Sequence, residues 1–397
     1  MRVLFLHNYY RSSAPSGEDA VADNERKILE VNGVDVVAYE KFNDEIDEHS
    51  LVDRVKLGLN CAWSQGTYNE LINLIKQIHP EVAHIQSIHP QISPSAYAAC
   101  QDMGVPVVHT LHNYRYICPG ALLQRDGCPC EDCVGHWPLN ALRYKCYRGS
   151  RMATGALVWM ITYNRWRGTF INQVNRYIAL TDFAAGRLAA GGLPADRIEV
   201  KPNFLPTSPA PKNRRKQYAV YVGRLSPEKG VGTLLTAWRS VEGLPLKILG
   251  DGPLRRSLES QAREQGIDVQ FFGSLDRKDV LPIVGSALLQ IVPSEWYEGF
   301  PMVILEAYAC GTPVVASRIG SLAEIVPDGE VGLHFEAGNP VDLANKVNML
   351  VSNPELVAKM GKKAREIFLL KYTAEQNFKM LMGIYQRAQD DFRRRTE

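Results

Sequence analysis

Two carboxylates, Glu298 and Glu306, stand with seven residues between them in the segment SEWYEGFPMVILEAYACG. Pro301 is expected at the first position of a helix, because its missing N–H is not needed there. Gly311 is expected just after the C-terminal end of that helix. Glu306 then lies inside the helix and Glu298 lies in the loop before it. The two acids are therefore placed to bind hydroxyl groups at the two ends of one elongated ligand.

The backbone around these acids adds an anion site. Gly299 and Phe300 present N–H groups at the positive end of the predicted helix, which favours an anionic ligand such as a diphosphate. Carboxylates that bind hydroxyl groups and N–H groups that bind a diphosphate together match a sugar nucleotide as the ligand. The same spacing also fits a surface helix that carries two solvated glutamates.

Two basic residues occur in the segment YVGRLSPEKG, upstream of the acids. Gly223-Arg224 follows a predicted strand, and Lys229-Gly230 precedes a predicted helix. The two cations are expected to converge and to bind a diphosphate through charge-assisted hydrogen bonds. The alternative is a pair of exposed loop charges.

These segments, with GTPVVASRIG from Gly311 to Gly320, resemble the nucleotide-binding half of family 4 retaining glycosyltransferases, which have the GT-B fold. Glu298 and Glu306 match the E-x7-E motif of that family. The resemblance extends from Met1 to about Tyr385. It implies that Arg224 and Lys229 bind the diphosphate leaving group.

The resemblance also gives roles to the other candidate residues. Glu306 is expected to bind the ribose hydroxyls and Glu298 the hydroxyls of the transferred sugar. Gly273 and Leu275 are expected to run past the nucleotide base. His112 follows a predicted strand and matches the family histidine beside the transferred sugar.

The first loop contains Gly17, where the backbone is expected to approach the donor diphosphate. The family usually has two adjacent glycines there, and this chain has Ser16 before Gly17. A plain turn is the alternative for this loop.

The order of strands and helices predicts a GT-B architecture with two Rossmann-like, parallel-sheet domains. We expect an acceptor-side domain over 1–205, a nucleotide-sugar-binding domain over 206–372, and a helix over 373–397 that crosses back to the first domain. Six strands are predicted in each half, over 2–7, 34–39, 82–85, 105–111, 176–180 and 198–200, and over 218–222, 246–249, 269–272, 289–292, 314–316 and 332–335.

The composition of the chain indicates which classes of binding partner are expected. The 397 residues are 45% hydrophobic with a net charge of +2, which gives no case for a nucleic-acid partner. Apolar runs are too short for a membrane span or a signal peptide, so a cytoplasmic location is expected. The amphipathic stretch 151–170 is interpreted either as a helix packed on its own domain or as a peripheral contact with the inner face of the plasma membrane.

Five of the eight cysteines lie in an insert over 118–146. Cys130 and Cys133 form a C-x2-C pair, and Cys118 and Cys146 complete a four-thiolate set suited to structural zinc. Reduced free thiols are an equal alternative, and disulfide or redox chemistry is a third.

The sequence therefore predicts a retaining transferase that moves a hexosyl or related group from a nucleotide-diphospho-sugar to a hydroxyl of a glycan or lipid-linked acceptor, in bacterial surface-polysaccharide synthesis. His112, Glu298, Arg224 and Lys229 are the predicted catalytic residues, and no catalytic metal is expected. The alternatives are another enzyme of this fold, such as an epimerase or phosphorylase, and a non-catalytic subunit.

Overall fold

The computed structural model describes residues 1–13, 16–46, 50–212 and 215–396, without the side chains of residues 51–54 and 396. The chain forms two compact units. The first unit comprises Met1–Leu123, Glu131–Pro202 and Asn377–Glu397, and the second comprises Gln124–Cys130 and Asn203–Gln376. The chain therefore leaves the first unit, builds the second and returns.

Short apolar strands before residue 203 form a six-stranded parallel sheet in the order β2-β1-β3-β4-β7-β8, and β5 pairs with β6 in a separate antiparallel hairpin. Parallel strands are apolar on both faces because helices cover both sides, and Val3, Leu4, Phe5 and Leu6 of β1 are accordingly buried. The strands are β1 (Arg2–Tyr9), β2 (Asp35–Phe42), β3 (Val82–Ile85), β4 (Val107–Leu111), β5 (Gln124–Arg125), β6 (Cys128–Pro129), β7 (Arg176–Ala179) and β8 (Ile198–Val200).

Helices connect these strands, and polar caps define several of their ends. Ser16 and Asp19 form a capping box at the start of α1, and the Ser150 side chain accepts a hydrogen bond from the Ala153 N–H at the start of α6. The helices are α1 (Gly17–Val31), α2 (Leu51–Asn60), α3 (Gln65–Ile78), α4 (Ser95–Asp102), α5 (Asn140–Tyr144), α6 (Arg151–Trp166), α7 (Thr169–Asn172) and α8 (Asp182–Ala190).

The second unit repeats the plan with a six-stranded parallel sheet in the order β11-β10-β9-β12-β13-β14. Apolar clusters cover both faces of this sheet. Its strands are β9 (Ala219–Val222), β10 (Leu246–Leu249), β11 (Val269–Gly273), β12 (Leu289–Val292), β13 (Val314–Ser317) and β14 (Gly332–Phe335). Its helices are α9 (Val231–Trp238), α10 (Arg255–Glu264), α11 (Arg277–Ser286), α12 (Met302–Ala309), α13 (Gly320–Ile325), α14 (Pro340–Val351) and α15 (Pro354–Lys371).

The last helix, α16 (Ala374–Thr396), completes the core of the first unit. Leu381, Ile384 and Tyr385 are buried against a cluster that includes Val3 and Phe5 of β1. The Tyr385 hydroxyl also lies 2.7 Å from His84 Nδ1 on β3. The end of the chain thus packs against its first strand.

The predicted fold class, two Rossmann-like parallel-sheet domains, is confirmed. All twelve predicted strands are present, with ends that differ by a few residues. Helices α10 and α11 are additions to the predicted set. Leu258 and Ala262 are the only apolar residues of α10, and α11 has Pro282, normally a helix breaker, in its interior. Within the described ranges, none of the helices combines the length and the apolar character needed to cross a bilayer.

Candidate active site

Lys229 and Glu298 are in direct contact in the second unit. The ammonium Nζ of Lys229 lies 2.7 Å from Glu298 Oε1, and the Ser294 hydroxyl donates to the same oxygen at 2.6 Å. Lys229 Nζ also lies 5.2 Å from the centre of the Trp296 ring, within cation–π range. Glu298 is buried and Lys229 is a quarter exposed. The loop after β12 therefore binds the ammonium group of Lys229, whose side chain is still partly exposed.

A tight turn sets the position of Lys229. The next residue, Gly230, has φ +66° and caps the start of α9. A Cβ at this position would lie 1.9 Å from the carbonyl oxygen of Pro293, so only glycine is accommodated. This close approach brings the start of α9 against the loop that carries Glu298.

Glu306 lies inside α12, as predicted, and Glu298 lies in the loop before that helix. Pro301 is the N-cap rather than the first helical residue, and Gly311 adopts φ +69° after the C-cap Cys310. The side chain of Pro301 cannot accept a hydrogen bond, so the N–H groups in the first turn of α12 have no capping side chain. Gly299 and Phe300 lie immediately before this helix end and are partly buried.

Glu306 pairs with a residue that sequence reasoning missed. Arg277 Nε lies 3.1 Å from Glu306 Oε1, and the arginine side chain is 40% exposed. Burial raises the pKa of Glu306, and the charge and hydrogen bond of Arg277 only partly offset this effect. Arg277 is the first residue of the unpredicted helix α11. The basic pair Arg277-Lys278 after Asp276 was the available signal, since aspartate is a common N-cap.

The remaining predicted residues of this unit lie at strand ends. Arg224 follows β9 and is exposed, and its carbonyl accepts a hydrogen bond from the Tyr221 hydroxyl at 2.8 Å. Gly273 ends β11 with φ +73°, and Leu275 packs on the apolar core shortly after it. Ligands of open parallel sheets bind outside the carboxyl ends of strands. Arg224, Lys229 and Glu298 lie in the segments that follow β9 and β12, and Gly273 lies at the end of β11.

In the first unit, His112 follows β4 and is joined to a buried polar network. His112 Nε2 lies 2.7 Å from Gln86 Oε1, and Gln86 Nε2 donates to Glu25. Glu25 pairs with Lys201, and both side chains are at most 2% exposed. Burial alone would raise the pKa of Glu25, but Lys201 and His84 shift it below its ordinary value. Gln86 directly follows β3, and this strand-end position could have identified it.

The environment keeps His112 neutral. Burial lowers its pKa, although the charges of Glu18 and Glu25 act in the opposite direction. The amide oxygen of Gln86 only accepts hydrogen bonds, so the proton of the neutral ring is on Nε2 and Nδ1 carries the lone pair. His112 is therefore fixed in one tautomer.

Gly17 is the first residue of α1, where the Ser16 side chain accepts a hydrogen bond from the Glu18 N–H. A Cβ on Gly17 would meet no atom within 4 Å, so space beside it is open. The capped helix start is compatible with both the phosphate and the plain-turn interpretation.

Of the four cysteines predicted to bind zinc, Cys118 and Cys133 are buried in the structure. Among the described residues, no group of three or more His, Cys, Asp or Glu side chains is placed to hold a metal ion. Cys133 is buried with Ala141 and Val158, and Cys146 packs against them. The geometry gives no support to the set Cys118, Cys130, Cys133 and Cys146.

Comparison with known proteins identifies both halves of the chain. Residues 29–208 match the family described as Glycosyltransferase Family 4, and residues 207–367 match Glycosyl transferases group 1. The chain is 26% identical over 345 residues to an alpha-D-kanosaminyltransferase from Streptomyces kanamyceticus, covering 83% of both proteins.

A second relative is a lipopolysaccharide 1,2-N-acetylglucosaminetransferase from Salmonella typhimurium, which is 32% identical over 170 residues. That match covers 39% of this chain and 44% of the relative, and other curated relatives are likewise matched over less than half their length. Anabaena HepE, solved in complex with UDP, has a TM-score of 0.68 at 17% identity, with 96% of this chain and 99% of that chain covered. The first half of the chain therefore matches a Glycosyltransferase Family 4 model, the second half matches a Glycosyl transferases group 1 model, and the fold is GT-B.

Proposed function

We propose that the protein is a glycosyltransferase and that it takes its sugar from a nucleotide-diphospho-sugar bound in the second unit. The contact between Lys229 and Glu298 carries the proposal, because it joins a cation for the diphosphate to a carboxylate for the sugar. Glu306 and Arg277 extend the site toward the nucleoside, with Glu306 accepting hydrogen bonds from the ribose hydroxyls. The first turn of α12 adds N–H donors for the phosphates.

Charge stabilisation supplies the chemistry. Cleavage of the sugar–phosphate bond leaves negative charge on the diphosphate, and Lys229 and Arg224 stabilise that charge. Glu298 orients the sugar through its hydroxyls. His112, neutral and fixed by Gln86, contacts the transferred sugar and accepts a hydrogen bond at Nδ1. We propose that the new bond retains the anomeric configuration of the donor.

The acceptor is proposed to be a glycan or lipid-linked hydroxyl in bacterial surface-polysaccharide synthesis, used at the cytoplasmic face of the membrane. Charge supports this assignment: residues 133–181 contain seven Arg and Lys residues and no Asp or Glu. Large apolar side chains of α6 are exposed in the same stretch, with Met152 at 67%, Trp159 at 48% and Trp166 at 79%. Basic and aromatic residues together favour the surface of an anionic bilayer.

Calorimetry with UDP-, GDP- and ADP-sugars tests the donor site. One donor should bind saturably, and Lys229→Ala and Glu306→Ala should each weaken it by at least about tenfold, the effect of losing one charged hydrogen bond. Lys278→Ala is the matched control, because Lys278 is next to Arg277 and its side chain is 76% exposed. Equal affinities for all four proteins would refute the site. For an active donor and acceptor pair, NMR of the product's anomeric proton tests retention.

A further inference from the structure

A groove of about 760 Å³ opens between α2 and α6 in the first unit. Its size falls within the range typical of small-molecule sites. The lining is largely apolar and includes Ile46 together with side chains of α2 and α6, namely Val55, Leu59, Met152, Leu157 and Trp159.

Positive charge is concentrated in this apolar lining. Arg11, Arg115 and Arg148 line the groove, and no Asp or Glu is among its described lining residues. The guanidinium groups of Arg115 and Arg148 lie 5.3 and 5.5 Å from the centre of the same Tyr147 ring. An anion bound at this end of the groove would therefore lie near two guanidinium groups.

Arg115 is the residue best placed to bind that anion. Its Nη1 is buried and has no hydrogen-bond partner among the described residues, although a buried guanidinium nitrogen normally has one. The nearby carboxylate of Glu18 is bonded instead to the Tyr10 hydroxyl at 3.3 Å and to Asn113 Nδ2 at 3.0 Å. Arg115 therefore offers a desolvated donor toward a ligand.

The arginine end of the groove adjoins His112. Arg115, His89 and Cys61 line both the groove and a smaller pocket that contains His112. A phosphate at Arg115 would place the group esterified to it next to His112. The other end of the groove reaches Met152 and Trp159, which belong to the exposed face of α6.

We propose that this groove binds the acceptor as a long-chain lipid phosphate, with the hydrocarbon chain between α2 and α6 and the phosphate on Arg115. The inference rests on the proposed transfer function and names its acceptor class. An amphiphile with one anionic group matches a site that is apolar over most of its length and cationic at one end. A neutral glycan would leave both the apolar lining and the buried Arg115 nitrogen without partners.

Binding of farnesyl phosphate to the full-length protein, followed by tryptophan fluorescence and calorimetry, tests the proposal. Wild type should bind farnesyl phosphate at least tenfold more tightly than farnesol or inorganic phosphate. Arg115→Gln should remove the preference over farnesol. Arg143 is exposed and lies outside the groove, so Arg143→Gln is the control and should keep the preference. Ala156→Phe fills the groove and should therefore weaken the binding of both farnesyl phosphate and farnesol.

The outcomes separate the acceptor site from the donor site. Equal binding of farnesyl phosphate by wild type and both Arg115→Gln and Ala156→Phe, or no binding by folded wild type, would overturn the proposal. Inorganic phosphate binding as tightly as farnesyl phosphate would identify a free-phosphate site and would also overturn it. If wild type binds no nucleotide-sugar, the proposed function is refuted, but the measured binding of farnesyl phosphate to the groove is unaffected.

Discussion

His112 Nε2 and Gln86 Oε1 lie 2.7 Å apart, and this hydrogen bond determines which nitrogen of the imidazole is free. Gln86 is itself oriented because its amide nitrogen donates to the buried carboxylate of Glu25. The ion pair with Lys201 keeps Glu25 charged in the core. A chain of buried polar groups therefore positions a histidine at the end of β4.

Replacing Gln86 by leucine should misplace His112 without removing it. We expect turnover to fall on the order of 10²-fold, the size of effect that misorientation of a reacting group produces. Nucleotide affinity in the second unit should not change. In a double-mutant cycle with His112→Ala, Gln86→Leu should have little further effect on turnover. Additive losses in turnover would show that Gln86 acts independently of His112.

Opposite effects on nucleotide binding are expected from the two members of the Lys229–Glu298 pair. Glu298→Gln releases the Lys229 ammonium for phosphate, so UDP or its equivalent should bind at least as tightly, while sugar transfer is lost. Lys229→Met should weaken the nucleotide at least about tenfold. It should also lower the free energy of unfolding by about 1–3 kcal/mol, because buried Glu298 loses its partner. Weaker binding of the nucleotide by Glu298→Gln would contradict this assignment.

The raised pKa of Glu306 predicts a pH dependence with a defined sign. As pH falls through this pKa, above the ordinary 4.5, the carboxylate is neutralised and should bind ribose hydroxyls less well, so nucleotide affinity should fall. Stability changes in the other direction. Because the pKa of Glu306 is higher in the folded state than in the unfolded state, protonation stabilises the fold, and the contribution of Glu306 to the free energy of unfolding decreases as pH rises through the same window. Calorimetry and thermal unfolding between about pH 4.5 and pH 7 measure both effects.

Glu306→Gln is the comparison for that experiment. The variant should bind nucleotide more weakly at neutral pH, and the part of the pH dependence that belongs to Glu306 should disappear from both measurements. An identical pH profile for wild type and variant would mean that another group titrates.

The turn at Gly230 predicts a stability effect with a matched control. Gly230→Ala should cost about 1–2 kcal/mol for the left-handed backbone, plus about 1–3 kcal/mol for the contact with Pro293. Gly243 has almost the same conformation, φ +64°, but a Cβ at that position would have no atom within 4 Å. Gly243→Ala should therefore show the backbone cost alone. If chemical denaturation shows equal losses in the free energy of unfolding for the two variants, the close approach of residue 230 to Pro293 is contradicted.

Membrane contact through α6 predicts binding to anionic vesicles. Trp166→Ala combined with Arg151→Gln should weaken partitioning by removing an exposed aromatic group and one charge worth about 1 kcal/mol near an anionic surface. Leu370→Ala is the control, since Leu370 is 67% exposed on α15 of the second unit. Vesicle sedimentation at low and high salt measures the partitioning of the double variant and of the control. Partitioning that is unaffected by the double substitution would refute this surface.

The sheets were predictable because each strand is a short apolar run bounded by turn residues, such as Leu246–Leu249 before Gly250. The positions of Glu298 and Glu306 followed from the helix start at Pro301 and the helix end at Gly311. Contacts across distant segments were not predictable. Arg277 reaches Glu306 from a helix that has Pro282 in its interior, and Gln86 reaches His112 from just beyond the end of the adjacent strand. The cysteine spacing suggested a metal site, yet Cys133 packs among apolar side chains.

The return of α16 to the first unit has a consequence for synthesis of the chain. Leu381, Ile384 and Tyr385 fill the core beside β1, so that core is incomplete until residue 388, the last member of the cluster, has been translated. The second unit, residues 203–376 apart from the hairpin segment, is complete earlier. Domains generally fold as units during translation. We expect the second unit to mature first on the ribosome, and a nascent chain released before residue 377 to expose apolar surface that chaperones recognise.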